Sequence, residues 1–140
     1  MSPGDILSGT IIDTHFDDNG RLDVWASGMH LFGLISDLDI IGCSMSYNTD
    51  SGFNGRQLSN IHFEDVTASY NTHSAGGGGI CISEKVGSSS NIEMVDVTAE
   101  HNGRDGILVW TWYDYCSISD VTITGGLFAY GYCLLPRQFS

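Results

Sequence analysis

Ser90-Asn91-Ile92-Glu93-Met94-Val95-Asp96-Val97-Thr98-Ala99-Glu100-His101-Asn102 is a thirteen-residue stretch that the chain writes five times. Ser59 to Asn71 reads SNIHFEDVTASYN, Ser36 to Asn48 reads SDLDIIGCSMSYN, Ser119 to Gly131 reads SDVTITGGLFAYG and Leu7 to Asn19 reads LSGTIIDTHFDDN. The starts at 7, 36, 59, 90 and 119 lie 29, 23, 31 and 29 residues apart. A period in the twenties to thirties marks a solenoid, in which each repeat is one supersecondary unit that buries its apolar face only against its neighbours. Each period therefore reads as one coil.

Within a copy the apolar residues alternate, Ile61 with Phe63 and Val66 with Ala68, or Ile92 with Met94 and Val97 with Ala99. Period two means strands. The Glu64-Asp65 and Val95-Asp96 steps break the alternation, so one copy supplies two short strands meeting at a sharp bend. A third strand follows a Gly-rich turn: Leu22 to Trp25, Phe53 to Arg56, Ile80 to Ser83 and Ile107 to Trp110. Three strands per coil make a prism whose parallel strands stack about 4.8 Å apart, and parallel crossovers are almost always right-handed. The expected fold is all-β, a right-handed single-stranded parallel β-helix of about five coils, filling residues 1–140 as one domain. The fifth coil stops at Leu134-Leu135-Pro136, before a full turn, and neither end shows an amphipathic capping helix. A segment of a longer protein or a self-associating unit is expected, with a homo-trimer about the solenoid axis as the simplest assembly.

Composition narrows the partners. Five Lys and Arg against seventeen Asp and Glu give a net charge of −12, which repels phosphate backbones and anionic membrane surfaces. Nucleic acid and membrane are therefore not expected, and an anionic glycan would need local help from Arg21, Arg56, Lys85 or Arg104. Cys43, Cys81, Cys116 and Cys133 match no zinc or redox spacing and read as free thiols, Cys43 taking the core slot of Val66 and Val97. No basic and apolar leader opens the chain, so an export signal would lie outside it. No metal or cofactor is expected beyond weak Ca2+ binding allowed by the acidic surplus, and neither an EF-hand nor a nonapeptide calcium repeat is present.

The third strands carry the candidate site. Aligned on Leu22, Phe53, Ile80 and Ile107 as inward residues, they send Trp25, Arg56, Ser83 and Trp110 outward in one row, with Trp112 and Tyr113 extending it. Large exposed aromatics tend to mark binding surfaces, and a Trp beside polar groups suits the apolar face of a sugar ring. The alternative is that these rings pack under loops or against a neighbouring subunit. Substrate contacts are assigned to Trp25, Arg56, Trp110, Trp112, Arg104, Glu84 and Asp23. Asp50 and Asp105 sit in turns two coils apart, roughly 9.6 Å along the stack. That spacing approaches the ~6.5 to 9.5 Å between carboxyls in inverting glycoside hydrolysis, where an acid and a base flank the bond with room for water. An Asp in a turn also simply bonds its own backbone. Asp23 and Glu84 are fallback acids, and His73 is a base only if it is not merely solvated. The recurring Asn19, Asn48, Asn71 and Asn102 read as a structural ladder, the preceding Tyr47, Tyr70, His101 and Tyr130 as turn packing, and Asp65 and Asp96 as bend formers.

At the level of coil pattern nearly the whole chain resembles the pectate-lyase-like β-helix superfamily, which includes polysaccharide lyases, galacturonan hydrolases, uronan epimerases and phage tailspike depolymerases beside adhesins and structural spikes. The resemblance implies a polysaccharide partner and an extracellular or virion-associated place, but fold alone does not assign chemistry. Asn48-Thr49-Asp50 resembles the Asn-Thr-Asp motif of the galacturonan hydrolases. Their paired Asp is missing, Gly77-Gly78-Gly79 stands where Gly-His-Gly would be, and no Arg-Ile-Lys follows. A carbohydrate-active solenoid that binds, and as an enzyme cleaves, a polysaccharide is the first expectation. A non-catalytic spike or a fragment of a larger polysaccharide-degrading enzyme is the second.

Overall fold

A computed structural model describes residues 7–20, 25–72 and 78–128. Seven strands follow one another: β1 (Leu7–Ile12), β2 (Met29–Ile41), β3 (Phe53–Glu64), β4 (Ile80–Glu84), β5 (Ser88–Val95), β6 (Ile107–Thr111) and β7 (Ser117–Thr124). Every pairing is parallel. β2 and β3 are long because each runs round a corner and serves two stacks. Their C-terminal halves join β1, β5 and β7 in what we call the repeat sheet, and their N-terminal halves join β4 and β6 in the return sheet. The solenoid is the right-handed parallel β-helix expected from the repeat. Five copies bound about four turns rather than five, because a turn is the interval between copies. The expected end at Leu134-Leu135-Pro136 lies outside the described residues.

The repeat sheet pairs copies in the register that the sequence shows, Gly9 with Leu38, Ile61, Ile92 and Val121, and Ile11 with Ile40, Phe63, Met94 and Ile123. Inward residues fill one continuous core in which Phe53, Ile40, Phe63, Ile80, Ile82 and Met94 are fully buried. The second strand of each copy shrinks to single bridges, His15, Ser44, Thr67, Thr98 and Leu127 forming one column. The bend between the two is real. Asp13, Gly42, Asp65, Asp96 and Gly125 occupy the same copy position with φ between 48° and 66°, a left-handed conformation that Gly and Asp reach more readily than other residues.

Two further left-handed corners recur. Asp37, Asn60, Asn91 and Asp120 turn the second residue of a copy, with φ of 52° to 55°. Asp18, Tyr47, Tyr70 and His101 turn the twelfth, with φ of 55° to 60°, and Tyr and His bear a strain there that Gly would not. Two interactions offset it. The rings of Tyr47, Tyr70 and His101 stack with centroids 5.0 and 4.7 Å apart and planes within 3°. The next residue anchors the turn: Asn71 Oδ1 accepts from the backbone and side-chain nitrogens of Asn48, both at 3.0 Å, and Asn71 Nδ2 donates to Met45 O and Asn102 Oδ1. The Asn column is thus a structural ladder. Cys43 is buried beside Met45 and hydrogen-bonds Ile41 O, and Cys43, Cys81 and Cys116 are free thiols, Cys133 lying outside the described residues.

Candidate functional site

Because the copies have one length, the unequal periods place all their variation between copies, and both places border the return sheet. On one edge, Phe53 follows Asn48 by five residues and Ile107 follows Asn102 by five, whereas Ile80 follows Asn71 by nine and Met29 follows Asn19 by ten. On the other edge, Leu58 follows Arg56 by two, Ile35 follows Phe32 by three, Ser89 follows Ser83 by six and Ile118 follows Trp110 by eight. The coil that holds β3 has the shortest connection on the second edge and shares the shortest on the first. The return sheet is thus a floor bordered by connections that are short at β3 and, on the second edge, longest at the aromatic segment Trp112 to Tyr115, with Cys81, Ser83 and Leu108 of the floor itself buried.

The floor has two outward rows. Register places His30, Asn54, Cys81 and Leu108 in the first, and Phe32, Arg56, Ser83 and Trp110 in the second. Trp25 is not in the row. Met29, not Leu22, pairs with Phe53, so Phe32 takes the position assigned to Trp25, which lies four residues before β2 and is 71% exposed. Asp23 and Arg21 lie outside the described residues, as does His73. Arg56 rests its guanidinium 4.1 Å above the Phe32 ring, and Lys85 sets its ammonium 4.1 Å above Trp112. Trp110 and Trp112 meet edge to face at 4.4 Å. Cation and ring thus hold each other in place on the groove wall.

Charge and polarity concentrate here. Arg56, Lys85 and Arg104 are all the Lys and Arg among the described residues, and all border this floor. Among the described residues four buried side-chain atoms have no hydrogen-bond partner, Asn54 Oδ1, Arg56 Nε, Glu84 Oε2 and Asp105 Oδ2, the last held in an ion pair with Arg104, and each belongs to the return sheet or the turn feeding it. Buried polar atoms are nearly always paired, so such a cluster asks for a reason. Burial holds the His30 imidazole below its ordinary value, Arg56 adding to the effect and Asp50 opposing it. Burial also pushes the Cys81 thiol up to about 11, against the hydrogen bond with Ser83, with Asp50 adding a little and Arg104 and Arg56 offsetting it. A thiol held that high stays protonated at neutral pH, where it is a poor nucleophile.

The proposed acids do not occupy equivalent register positions. Gly52, Gly79 and Gly106 stand in one hydrogen-bonded column, so Asp105 aligns with Ser51 and Gly78, and it is Arg104 that aligns with Asp50. Asp50 accepts from Ser27 Oγ at 3.0 Å. Asp105 is 7% exposed, with Arg104 Nε 3.1 Å from its Oδ2. Glu84 is not on the floor. β4 ends at a corner, where its carboxylate turns under the chain to accept from the Gln57 backbone N–H at 2.6 Å and from the Ser89 hydroxyl, leaving it fully buried. Asp50 is thus the one carboxylate among these that borders the floor. Among the described residues no group of three His, Cys, Asp or Glu side chains is arranged to hold a metal ion.

Sequence reasoning placed Asn54 outward but missed Phe32 and His30. The alternation of Met29-His30-Leu31-Phe32 is as clear as that of Leu22 to Trp25, and only stacking on β3 selects between them. A second hollow, of about 290 Å³, lies on the repeat sheet among Asp37, Asp39, Asn60, His62, Asn91 and Glu93. It is acidic and apart from the groove. The family model for the right-handed β-helix region matches residues 5–123. Neither a curated protein nor a solved structure matches the chain significantly.

Proposed function

Because the chain belongs to the family of right-handed β-helix regions, we propose that its return sheet binds an acidic polysaccharide along the groove and does not cleave it. One observation carries the reading. A chain with a net charge of −12 gathers Arg56, Lys85 and Arg104 on one groove beside Phe32, Trp110 and Trp112. Aromatic faces take the apolar faces of sugar rings, and the cations take carboxylate or sulfate groups at short range where the overall field repels them. Sugar polymers as partners fit a place outside the cell or on a virion. The offset between Asp50 and Asp105, and the burial of Asp105 and Glu84, speak for binding over hydrolysis, which needs two facing carboxyls.

The test is migration of the protein through native gels cast with acidic or neutral polysaccharide. Retardation by at least one acidic polymer, and its loss in Arg56→Ala and Trp110→Ala, is the expected result. Equal retardation of both variants would move the site elsewhere. A second reading has its own observation, since Trp112, Tyr113 and Tyr115 are 46%, 52% and 72% exposed on one wall and would seat a neighbouring copy in a spike-like homo-oligomer. Light scattering separates the two, because Tyr115→Ser would then lower the mass of the particle and leave glycan binding alone.

A further inference from the structure

Asn54 Oδ1 and Arg56 Nε are an acceptor and a donor, both buried, both unpartnered, and both on the outward side of β3 where the bordering connections are short. Two residues along a strand set their backbones about 6.6 Å apart. A secondary amide presents its N–H and C=O in opposite directions, and with a hydrogen bond of about 2.9 Å at each end it spans a gap of that order. Beside the guanidinium opens a hollow of about 180 Å³ lined by Phe32, Gly33, Arg56, Gln57, Lys85 and Val86, with an aromatic wall suited to a methyl group.

We propose that β3 reads an N-acylated amino sugar, the acetamido N–H donating to Asn54 Oδ1 and the acetamido carbonyl accepting from Arg56 Nε, with the acyl methyl in the hollow against Phe32. This rests on the reading of the return sheet as a groove for acidic polysaccharide, and it names the ligand as a polymer that alternates acidic sugars with N-acyl hexosamines. Neither polar atom meets solvent in the free groove, so the proposal requires side chains at this point of β3 to shift as the ligand enters. A uronate polymer offers carboxylates for Arg56 but no donor for Asn54 Oδ1. Leaving a buried acceptor unpaired is the basis of discrimination against analogues that lack the matching group.

Calorimetric titration with hyaluronan tetrasaccharide, the same tetrasaccharide carrying glucose in place of N-acetylglucosamine, and a galacturonate tetramer tests this. The acetamido ligand is expected to bind about tenfold or more tighter than its glucose analogue. Asn54→Ala should erase that preference while keeping affinity for the galacturonate tetramer. Arg56→Lys, which keeps the charge and lacks Nε, should weaken the preference as well. Equal affinity for the acetamido and glucose ligands, or a preference that survives Asn54→Ala, overturns the inference and leaves the groove reading standing. Binding of none of the three, checked against native-gel retardation by longer acidic polymers, overturns both.

Discussion

The two sheets of this solenoid obey opposite rules. The repeat has one length in every coil, its corners at the second and seventh positions use Asp, Asn or Gly, and its Asn ladder satisfies both backbone and side-chain groups from coil to coil. The return sheet has edges whose length varies from coil to coil and holds, among the described residues, the four buried polar atoms without a hydrogen bond, on its strands or in the turn that feeds β6. Stacking demands sameness, because each coil must match the one above and below. A binding groove demands difference, because a ligand has to be told one subsite from the next. The part of the sequence that repeats builds the scaffold, and the part that departs from the repeat builds the site.

The comparison breaks if ladder and groove changes have similar effects, and the largest effect is expected on the ladder. Replacing Asn71 with Ala removes the acceptor for two nitrogens of Asn48 and the donor to Met45 O and Asn102 Oδ1, all inside a closed stack. We expect a loss of about 3 to 4 kcal/mol in urea unfolding, since several buried groups lose partners at once. Gly79→Ala should cost somewhat less, about 1 to 3 kcal/mol, because its Cβ would press on the Gly106 carbonyl first and on the Ala68 carbonyl, 2.7 Å away, at the point where the turn meets the core.

Next in size is a dependence on alkaline pH. The Cys81 thiol has a folded value of about 11 against 9.0 for the free group, so between those values the folded chain holds the proton more tightly than the unfolded chain. Stability is intact below about pH 9 and falls as pH rises through about 11, by roughly 2 to 3 kcal/mol for a shift of this size. Cys81→Ala should flatten that part of the curve, which chemical denaturation at stepped pH would measure. No flattening would mean that the return sheet admits water to this thiol.

Changes on the groove should be smaller still in stability and larger in binding. Trp110→Ala is expected to change unfolding by under about 1 kcal/mol, as at other partly exposed positions, and to weaken polysaccharide retention by about tenfold. The smallest expected signal is also the most local. Arg56→Ala should raise the His30 titration point and Asp50→Asn should lower it, following the signs of their effects, and proton NMR of the imidazole would show both. Shifts of the same sign in both variants would contradict the placement of these two charges on either side of His30.

Legibility in the sequence followed the same division. The copies, their inward residues, the bends at Asp65 and Asp96 and the ladder through Asn48 and Asn71 were readable because parallel stacking repeats one local solution and the sequence repeats with it. The return strands at Phe53, Ile80 and Ile107 were readable from their alternation after a Gly-containing turn. The return strand of the first coil was misread, since ten residues separate Asn19 from Met29 and two alternating segments compete for one place on Phe53. Asp50 and Asp105 look equivalent in sequence because each precedes Gly in a turn, but Asp50 is two residues before Gly52 and Asp105 one before Gly106, and that single step sets which of the two borders the groove floor. Glu84 was placed near the groove as a fallback acid because it follows the outward Ser83, although the alternation that turns Ile80 and Ile82 inward turns Glu84 inward as well.

The central claim is that the groove holds acidic polysaccharide without breaking it. Incubating the protein with a fractionated acidic polymer, and following both the elution of the protein and the length of the polymer by size-exclusion chromatography, tests it most directly. Co-elution of protein with polymer of unchanged length, lost in Arg56→Ala, is the predicted result. Polymer that shortens with time, or protein that elutes alone beside every acidic polymer supplied, would contradict it.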